Sequence, residues 1–519
     1  MRKTAPLSVF SILISIQAVN ANAQAPSKCA DLMKYQPPAA ALEITLAERR
    51  EHYTPPPPRV GPPITAAFPP HCHIEGALDR RAGDDGKPYA IGFAINLPDE
   101  WNGRFLFQGG GGLNGTVQPP LGAGAAGDTP ALSRGFAVAS TDSGHQGQGP
   151  FDAAFFADQE ALLNFHQFAN AKVTIIAKQL IAEYYGSPAR HSYFVGCSTG
   201  GREGMVMSQR FPFYYDGIVA GAPAMRTGLS NLALKWISVQ LNRVATRDAS
   251  GKPVPGTAFT EAERKLIVNR FLETCDANDG LADGLVFDTH GCRFDPAALV
   301  CQADKRDQCL RAEQAQALQR AFAGPKDSTG YPVYTGFLFD TGIAAQGFIP
   351  GLLMGGTSPV DPAGGAALQQ DVDAEARAAT EPVASFGDST WTNLNSFSGN
   401  GGKLIFYHGV SDAWFSALDT IDYYERMSAA NGGMEQVRNW SRAFLVPGML
   451  HCNGGQALDR FDMLTAIVDW VEKGKAPDRI IATGRAYPGR SRPLCPWPEF
   501  ARYTGSGDSE DEVNFECRE

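Results

Sequence analysis

No two of the ten cysteines stand at the C-x-x-C spacing of a thiolate metal site, so zinc ribbons and similar clusters are excluded. After the first two dozen residues there is no long uncharged apolar run of the kind that spans a bilayer. No internal repeat or low-complexity tract is present. Charge is sparse as well: 19% of residues are charged, and 45 Lys and Arg face 55 Asp and Glu, giving a formal net charge of -10. That balance argues against non-specific nucleic-acid binding, which needs basic side chains to displace counterions. It permits a neutral ester or a cation as ligand. Between Lys326 and Arg377 there is no Lys or Arg at all.

What is present begins with an export signal. Arg2 and Lys3 precede an apolar stretch from Leu7 to Val19, too short for a membrane span, and Ala21-Asn22-Ala23 supplies a small-x-small cleavage pattern. Residues 1–23 are therefore expected to be a signal peptide, with the mature chain starting near Gln24 in the periplasm or outside the cell. Cys29 lacks the small-residue context of a lipid-anchored start. In an exported chain an even number of cysteines reads as disulfides. Short loops favour Cys275 with Cys292 and Cys301 with Cys309; the residues alone leave the other pairings open.

At 519 residues the chain is too long for one compact core. Residues 36–70 are rich in proline and read as an extended surface arm. Short apolar runs follow, each closed by turn residues: Phe105–Phe107, Phe136–Ala139, Tyr193–Val195, Ile218–Ala220, Leu404–Tyr407 and Phe444–Val446. Such runs are how buried parallel strands look. Helical spacing over 158–185, 201–210 and 461–473 alternates with them, which implies an α/β sheet. Residues 225–391 break the pattern and read as an insertion between two core strands.

Gly196-Cys197-Ser198-Thr199-Gly200 is G-x-S-x-G between a strand pattern and a helix pattern, the context in which a serine is held out on a tight turn as a nucleophile. A serine needs a base and an orienting acid, and in this fold they follow it at the ends of late strands. Asp412 and His451 occupy those places. His145, after an earlier strand, competes for the base; His408, directly at a strand end, reads as a buried structural histidine. Gly109–Gly112 resembles a loop that gives one oxyanion N–H, assigned here to Gly111, the second coming from Thr199. Cys197 precedes the serine and Cys452 follows the histidine: either they pair, tying nucleophile to base, or each pairs elsewhere. Asp276, Asp279, Asp283 and Asp288 lie in one Asp/Gly-rich stretch. It is either a calcium loop using Asp276, Asp279, Asp283 and backbone carbonyls, or a solvated acidic turn, and its spacing is not that of an EF-hand.

Taken together, Gly196-Cys-Ser-Thr-Gly-Gly-Arg-Glu-Gly204, Gln209–Pro212, Asp216-Gly217-Ile218, Gly221-Ala222-Pro223, His408-Gly409 with Asp412, and Gly448 with His451-Cys452 resemble the tannase/feruloyl esterase family over nearly the whole mature chain. The resemblance implies an α/β-hydrolase core, residues 24–224 and 392–519, with a lid domain at 225–391. It implies a Cys197–Cys452 bridge beneath the triad, and one calcium held by Asp276, Asp279, Leu281, Asp283 and Leu285. The cysteine spacings are similar to the branch that cleaves mono(2-hydroxyethyl) terephthalate, and imply Cys29–Cys72, Cys275–Cys292, Cys301–Cys309 and Cys495–Cys517. Met205–Arg210 and Asp412-Ala413-Trp414-Phe415-Ser416 point the same way. Two features depart from that branch: Thr199 stands where it has Glu, and the lid lacks its carboxylate-binding arginine, offering instead Phe337, Phe339, Phe348, Leu352, Leu353 and Met354 to an acyl ring. The expectation is a secreted serine esterase for aromatic acids of the ferulate or gallate type. The alternatives are a terephthalate monoester hydrolase and a non-catalytic binding protein on a hydrolase scaffold.

Overall fold

The computed structural model describes residues 25–38, 40–56, 64–302, 308–347, 349–355 and 365–519. The signal segment, Gln24 and Phe348 lie outside the described residues. A nine-stranded sheet forms the centre. Its strands are β1 (Leu42–Arg50), β2 (His71–Ala82), β3 (Pro88–Pro98), β4 (Arg104–Gln108), β5 (Ala137–Thr141), β6 (His191–Cys197), β7 (Gly217–Gly221), β8 (Lys403–Gly409) and β9 (Ser441–Val446). They lie in the order β1-β2-β3-β5-β4-β6-β7-β8-β9. From β5 to β9 neighbours run parallel, while β1, β2 and β3 pair antiparallel, β3 with β5 as well.

The alternation of side chains along each strand divides the core in two. Phe105, Phe107, Phe194, Ile218, Ala220, Leu404 and Phe406 face one apolar cluster, with the helices Ala169–Tyr185, Thr199–Arg210 and Ala417–Ala430. Leu106, Val138, Tyr193, Val195, Val219, Ile405 and Tyr407 face the other, with the helix Met463–Lys473. Both faces are dry, which is why these strands read as unbroken apolar runs. The long helical pattern of 158–185 is interrupted: Gln159–Leu163 and Ala169–Tyr185 are α-helical, and Asn164–Phe168 forms a π-helical turn between them.

Two parts of the fold differ from the sequence reading. The proline-rich arm is not all surface arm: Leu42–Arg50 is the edge strand β1, with Leu42 and Ile44 buried. Beyond β9 the chain builds a small antiparallel unit from β10 (Arg460–Phe461), β11 (Ile480–Thr483) and β12 (Ser491–Leu494), and a hairpin of β13 (Phe500–Tyr503) with β14 (Phe515–Arg518). These strands are short and mixed in character, so no apolar run announces them.

β7 and β8 are adjacent and parallel, yet residues 222–402 lie between them in the chain. That stretch carries the helices Thr227–Asn242, Glu261–Cys275, Ala312–Ala323 and Val372–Thr380 around an apolar cluster that includes Ile237, Phe259, Leu318, Phe322 and Leu353. Five disulfides are formed: Cys29–Cys72, Cys197–Cys452, Cys275–Cys292, Cys301–Cys309 and Cys495–Cys517. Among the described residues no helix is long and apolar enough to cross a membrane.

Candidate active site

Ser198 joins β6 to the helix Thr199–Arg210 with φ 65° and ψ -124°. A side-chain-bearing residue held there costs on the order of 1–3 kcal/mol and persists only when its surroundings over-determine it. Here they do. The Ser198 N–H donates to Gly221 O at 3.0 Å, and its carbonyl accepts the N–H groups of Arg202 at 3.0 Å and Ala224 at 3.1 Å. The flanking glycines are needed for close approach. A Cβ on Gly196 would stand 2.5 Å from the Gly200 carbonyl, and one on Gly200 would stand 2.6 Å from Gly110 O.

Asp412 lies just past β8 and is 1% exposed. Its Oδ2 accepts from His451 Nδ1 at 2.7 Å, and its Oδ1 accepts the N–H groups of Trp414 at 2.9 Å and Phe415 at 3.1 Å. Burial pushes this carboxyl up, but the charge of His451 and the hydrogen bonds from His408 and His451 outweigh it and hold Asp412 well below the usual carboxylate range. With Nδ1 donating to Asp412, Nε2 of His451 is the nitrogen left to take a proton. The Cys197–Cys452 bridge, with Cα atoms 6.0 Å apart, brings the segments of Ser198 and His451 together. No hydrogen bond joins the Ser198 hydroxyl to His451, a looseness common in sites that tighten around substrate.

His408 does more than fill space. Its Nε2 lies 2.9 Å from Phe415 O and 3.2 Å from Asp412 Oδ2, while Nδ1 lies 2.8 Å from Thr420 Oγ1. A carbonyl only accepts, so Nε2 carries the hydrogen and Nδ1 accepts from the Thr420 hydroxyl. Asp412 is thus held by two histidines. The spacing of four residues between His408 and Asp412 was the available sequence signal. His145, the competitor for the base, is 1% exposed and stacks on Phe155 with ring centroids 3.5 Å apart, beside Gly115. Burial pushes it down to about 4, so it is neutral at neutral pH.

The Gly-rich loop follows β4. The Gly109 N–H donates to Val195 O at 2.9 Å and the Gly110 N–H donates to Glu203 Oε2 at 2.8 Å. Gly111 is exposed, and no acceptor takes its N–H among the described residues. Thr199 is the first residue of its helix, so its N–H has no acceptor within that helix. Its hydroxyl donates to Gly112 O. Gly112 has φ +59°, and a Cβ there would meet Pro150 O at 2.4 Å.

Apolar side chains surround the histidine. Trp414 and Phe415 stack on each other, and their rings lie 5.8 and 5.3 Å from the His451 ring. Phe151 meets Trp414 edge-on at 5.4 Å, and Ile349 packs on the same group. Phe337, Leu352 and Leu353 belong to the inserted block's own core, and Phe339 stacks on Phe322 at 4.0 Å. The same cluster takes in Ala413, beside Asp412, and Ile349 packs against it. A second residue that sequence reasoning missed is Asp340, from the insertion and fully buried. Its Oδ2 accepts the Ser411 hydroxyl at 2.7 Å and the Gly448 N–H at 2.6 Å, so it links the turn that carries Asp412 to the turn that carries His451.

Asp276, Asp279 and Asp283 share one loop of the insertion, the first two buried. They accept the N–H groups of Gly284, of Leu281 and Phe287, and of Leu285 respectively, and Asp283 also pairs with Arg490 and Arg492. Burial and then the neighbouring carboxylates push Asp279 up to about 7. Among the described residues no three acidic, His or Cys side chains are gathered as a ligand cluster in this arrangement. The donor chemistry, carboxylates plus the carbonyls of Leu281 and Leu285, suits a hard cation.

Comparison with known proteins gives a consistent picture. The chain is 41% identical to mono(2-hydroxyethyl) terephthalate hydrolase of Piscinibacter sakaiensis, over 87% of this chain and 85% of that one. The fold superposes on the crystal structure of feruloyl esterase B from Aspergillus oryzae with a TM-score of 0.77 at 26% identity, covering 95% of this chain and 100% of that one. Tannin acyl hydrolase from Aspergillus niger shares the fold, with a TM-score of 0.71 at 23% identity over 95% and 94% of the two chains. Residues 72–353 and 360–518 match the family described as tannase and feruloyl esterase. The chain belongs to that family and is a carboxylic ester hydrolase.

Proposed function

We propose that the protein is an exported serine esterase that cleaves esters of aromatic acids through an acyl-enzyme. The observation that carries the reading is that Ser198, held on its strained turn, and His451, which Asp412 orients at 2.7 Å, stand on segments joined by the 197–452 bridge. In this reading His451 Nε2 takes the Ser198 proton as Oγ attacks the ester carbonyl. The carbonyl oxygen becomes an oxyanion held by the N–H groups of Gly111 and Thr199. Collapse of the intermediate expels the alcohol, which takes the proton from His451. Water, deprotonated by the same nitrogen, then attacks the acyl-enzyme and releases the acid. Asp412 stays ionised throughout and fixes the histidine tautomer.

Trp414, Phe415, Phe151 and Ile349 support an aromatic acyl group. The identity to a terephthalate monoester hydrolase supports that monoester as a second reading, although the stretch between Lys326 and Arg377 offers no guanidinium to pair with a free carboxylate. The insertion is proposed as a lid over this end of the sheet, and Asp276, Asp279 and Asp283 with the carbonyls of Leu281 and Leu285 as a calcium site. Calcium held by these residues would neutralise the clustered carboxylates and fix the loop. The signal-like start and the disulfides support export. Initial rates on methyl ferulate, methyl gallate, chlorogenate and mono(2-hydroxyethyl) terephthalate test the substrate. Turnover of the aromatic esters that is lost in Ser198→Ala is expected; equal turnover by Ser198→Ala overturns the mechanism.

A further inference from the structure

We propose that Thr199 and Glu203 are positioning residues that aim the Gly111 N–H at the oxyanion, by clamping the Gly-rich loop on either side of Gly111 from the helix that Ser198 heads. The inference rests on the reading of Ser198 as nucleophile and Gly111 as oxyanion donor, and adds what fixes that donor.

Four consecutive glycines have no side chains with which to hold a conformation, and each has wide freedom in φ and ψ. A donor on such a loop contributes fully only if its direction is set before the charge develops. The restraint therefore has to come from outside the loop. On one side it comes from Glu203, whose Oε2 accepts the Gly110 N–H at 2.8 Å and whose Oε1 accepts Asn114 Nδ2 at 2.8 Å and the Ser143 hydroxyl at 3.1 Å. On the other it comes from Thr199, whose hydroxyl donates to Gly112 O. The carbonyl of Gly111 itself accepts the Asn114 N–H at 3.0 Å. The Gly110 N–H on one side of Gly111 and the Gly112 carbonyl on the other are thereby occupied, while among the described residues no acceptor takes the N–H of Gly111 itself.

Glu203 is 2% exposed, and among the described residues no cation forms an ion pair with it. The adjacent Arg202 turns its guanidinium to His166 and to the Phe165 and His166 carbonyls instead. A buried carboxylate without a hydrogen-bonded cation is costly unless donors surround it. The three donors here are the loop, the Asn114 side chain that ends it, and a serine of the next turn. Thr199 and Glu203 lie four residues apart on one helix, so both reach the same loop. Nucleophile and oxyanion donor are in this way referenced to one rigid element.

The test compares Thr199→Val, which keeps the shape and removes the hydroxyl, with Thr199→Ser, which keeps the hydroxyl; Glu203→Leu and Glu203→Gln form the second pair. Hydrolysis of p-nitrophenyl benzoate gives kcat and KM. Inhibition by phenylboronic acid reports on the tetrahedral adduct formed when Ser198 Oγ bonds to boron and its proton passes to His451. Thr199→Val is expected to lower kcat by roughly tenfold to a hundredfold, with KM within about twofold, and to weaken phenylboronic acid in proportion. Thr199→Ser and Glu203→Gln should recover most of the corresponding losses. A Thr199→Val protein with wild-type kcat and wild-type boronic acid affinity overturns the clamp. So does a loss that the hydroxyl-bearing variant fails to recover. If Glu203→Leu does not fold, the threonine pair decides alone. Ser198→Ala separates this from the underlying reading: retained turnover there sinks the site assignment, whereas abolished turnover with an unaffected Thr199→Val sinks only the clamp.

Discussion

Cys197 and Cys452, 255 residues apart in sequence, are bonded with their Cα atoms 6.0 Å apart, one directly before Ser198 and the other directly after His451. Cys452 has φ 67° and Ser198 has φ 65°, so the bridge joins two segments whose backbones are both held in sparsely populated conformations. Replacing both cysteines by Ala is expected to depress turnover on folded protein more than replacing Cys495 and Cys517, which tie the C-terminal hairpin. A displacement of about 1 Å at a reacting pair can cost on the order of a hundredfold. Loss of a native disulfide also costs about 2–5 kcal/mol, so rates are to be compared well below each melting temperature. Equal loss in the two double variants would remove the special role of this bridge.

The histidines make a graded series. His451→Ala is expected to lose roughly four or more orders of magnitude in kcat, as is Ser198→Ala, and Asp412→Asn about four. His408→Ala should fall between these and wild type, because Asp412 keeps the Trp414 and Phe415 N–H groups and His451 when His408 is gone. His145→Ala should act mainly on stability, since its ring packs on Phe155. Steady-state kinetics on the purified variants check the order; a larger kcat loss at His145 than at His451 reverses the assignment of the base.

Asp340 links pH to stability. Burial pushes its carboxyl up from 3.8 to about 6, although the Ser411 hydroxyl and the Gly448 N–H pull the other way, and the Tyr487 phenol faces the same charge. The folded state therefore holds this proton more tightly than the unfolded chain. Well below the ordinary value of 3.8 both states are protonated and nothing is lost. As pH rises from there through about 6, stability falls by about 3 kcal/mol from this group, and the deficit persists above. Asp340→Asn keeps an acceptor oxygen for Ser411 and Gly448 and cannot ionise. Its melting temperature relative to wild type is expected to be higher at pH 8 than near pH 4.5. A difference that is the same at both pH values would show that Asp340 does not titrate in this range.

One calcium per chain is expected from elemental analysis of protein purified in calcium without chelator. Chelation should lower the melting temperature, since a ligand that binds only the folded state stabilises it by mass action. It should leave the kcat of the remaining folded enzyme within about twofold, because the loop lies in the insertion and not among the reacting groups. Asp279→Ala should abolish the chelator's effect on melting. Absence of calcium under replete conditions removes the site.

Some of this protein is written locally. The runs at Phe105, Tyr193, Ile218, Leu404 and Phe444 announce strands because both faces of the inner sheet are dry, so no alternation is needed. Gly196 and Gly200 are legible because a strand and a helix can approach Ser198 that closely only without a Cβ. Asp412 and His451 follow because their places after late strands are set by chain order. The edge strand β1 and the short C-terminal strands were not legible, since proline and mixed polarity hide a strand whose burial comes from its neighbours.

What only the tertiary structure decided is which polar group is left over. That Gly111 keeps its N–H depends on Val195 and Glu203 taking those of Gly109 and Gly110. That Asp340 binds the turns of both Asp412 and His451 depends on the insertion folding back onto Ser411 and Gly448. That Phe337, Leu352 and Leu353 serve the insertion's core, while Trp414 and Phe415 line the histidine, depends on which side each segment turns toward. Apolarity along the chain says that a side chain will be buried. Hydrogen bonds and packing between residues far apart in sequence settle against what, because each donor can be taken by only one neighbourhood and that neighbourhood exists only once the chain has folded.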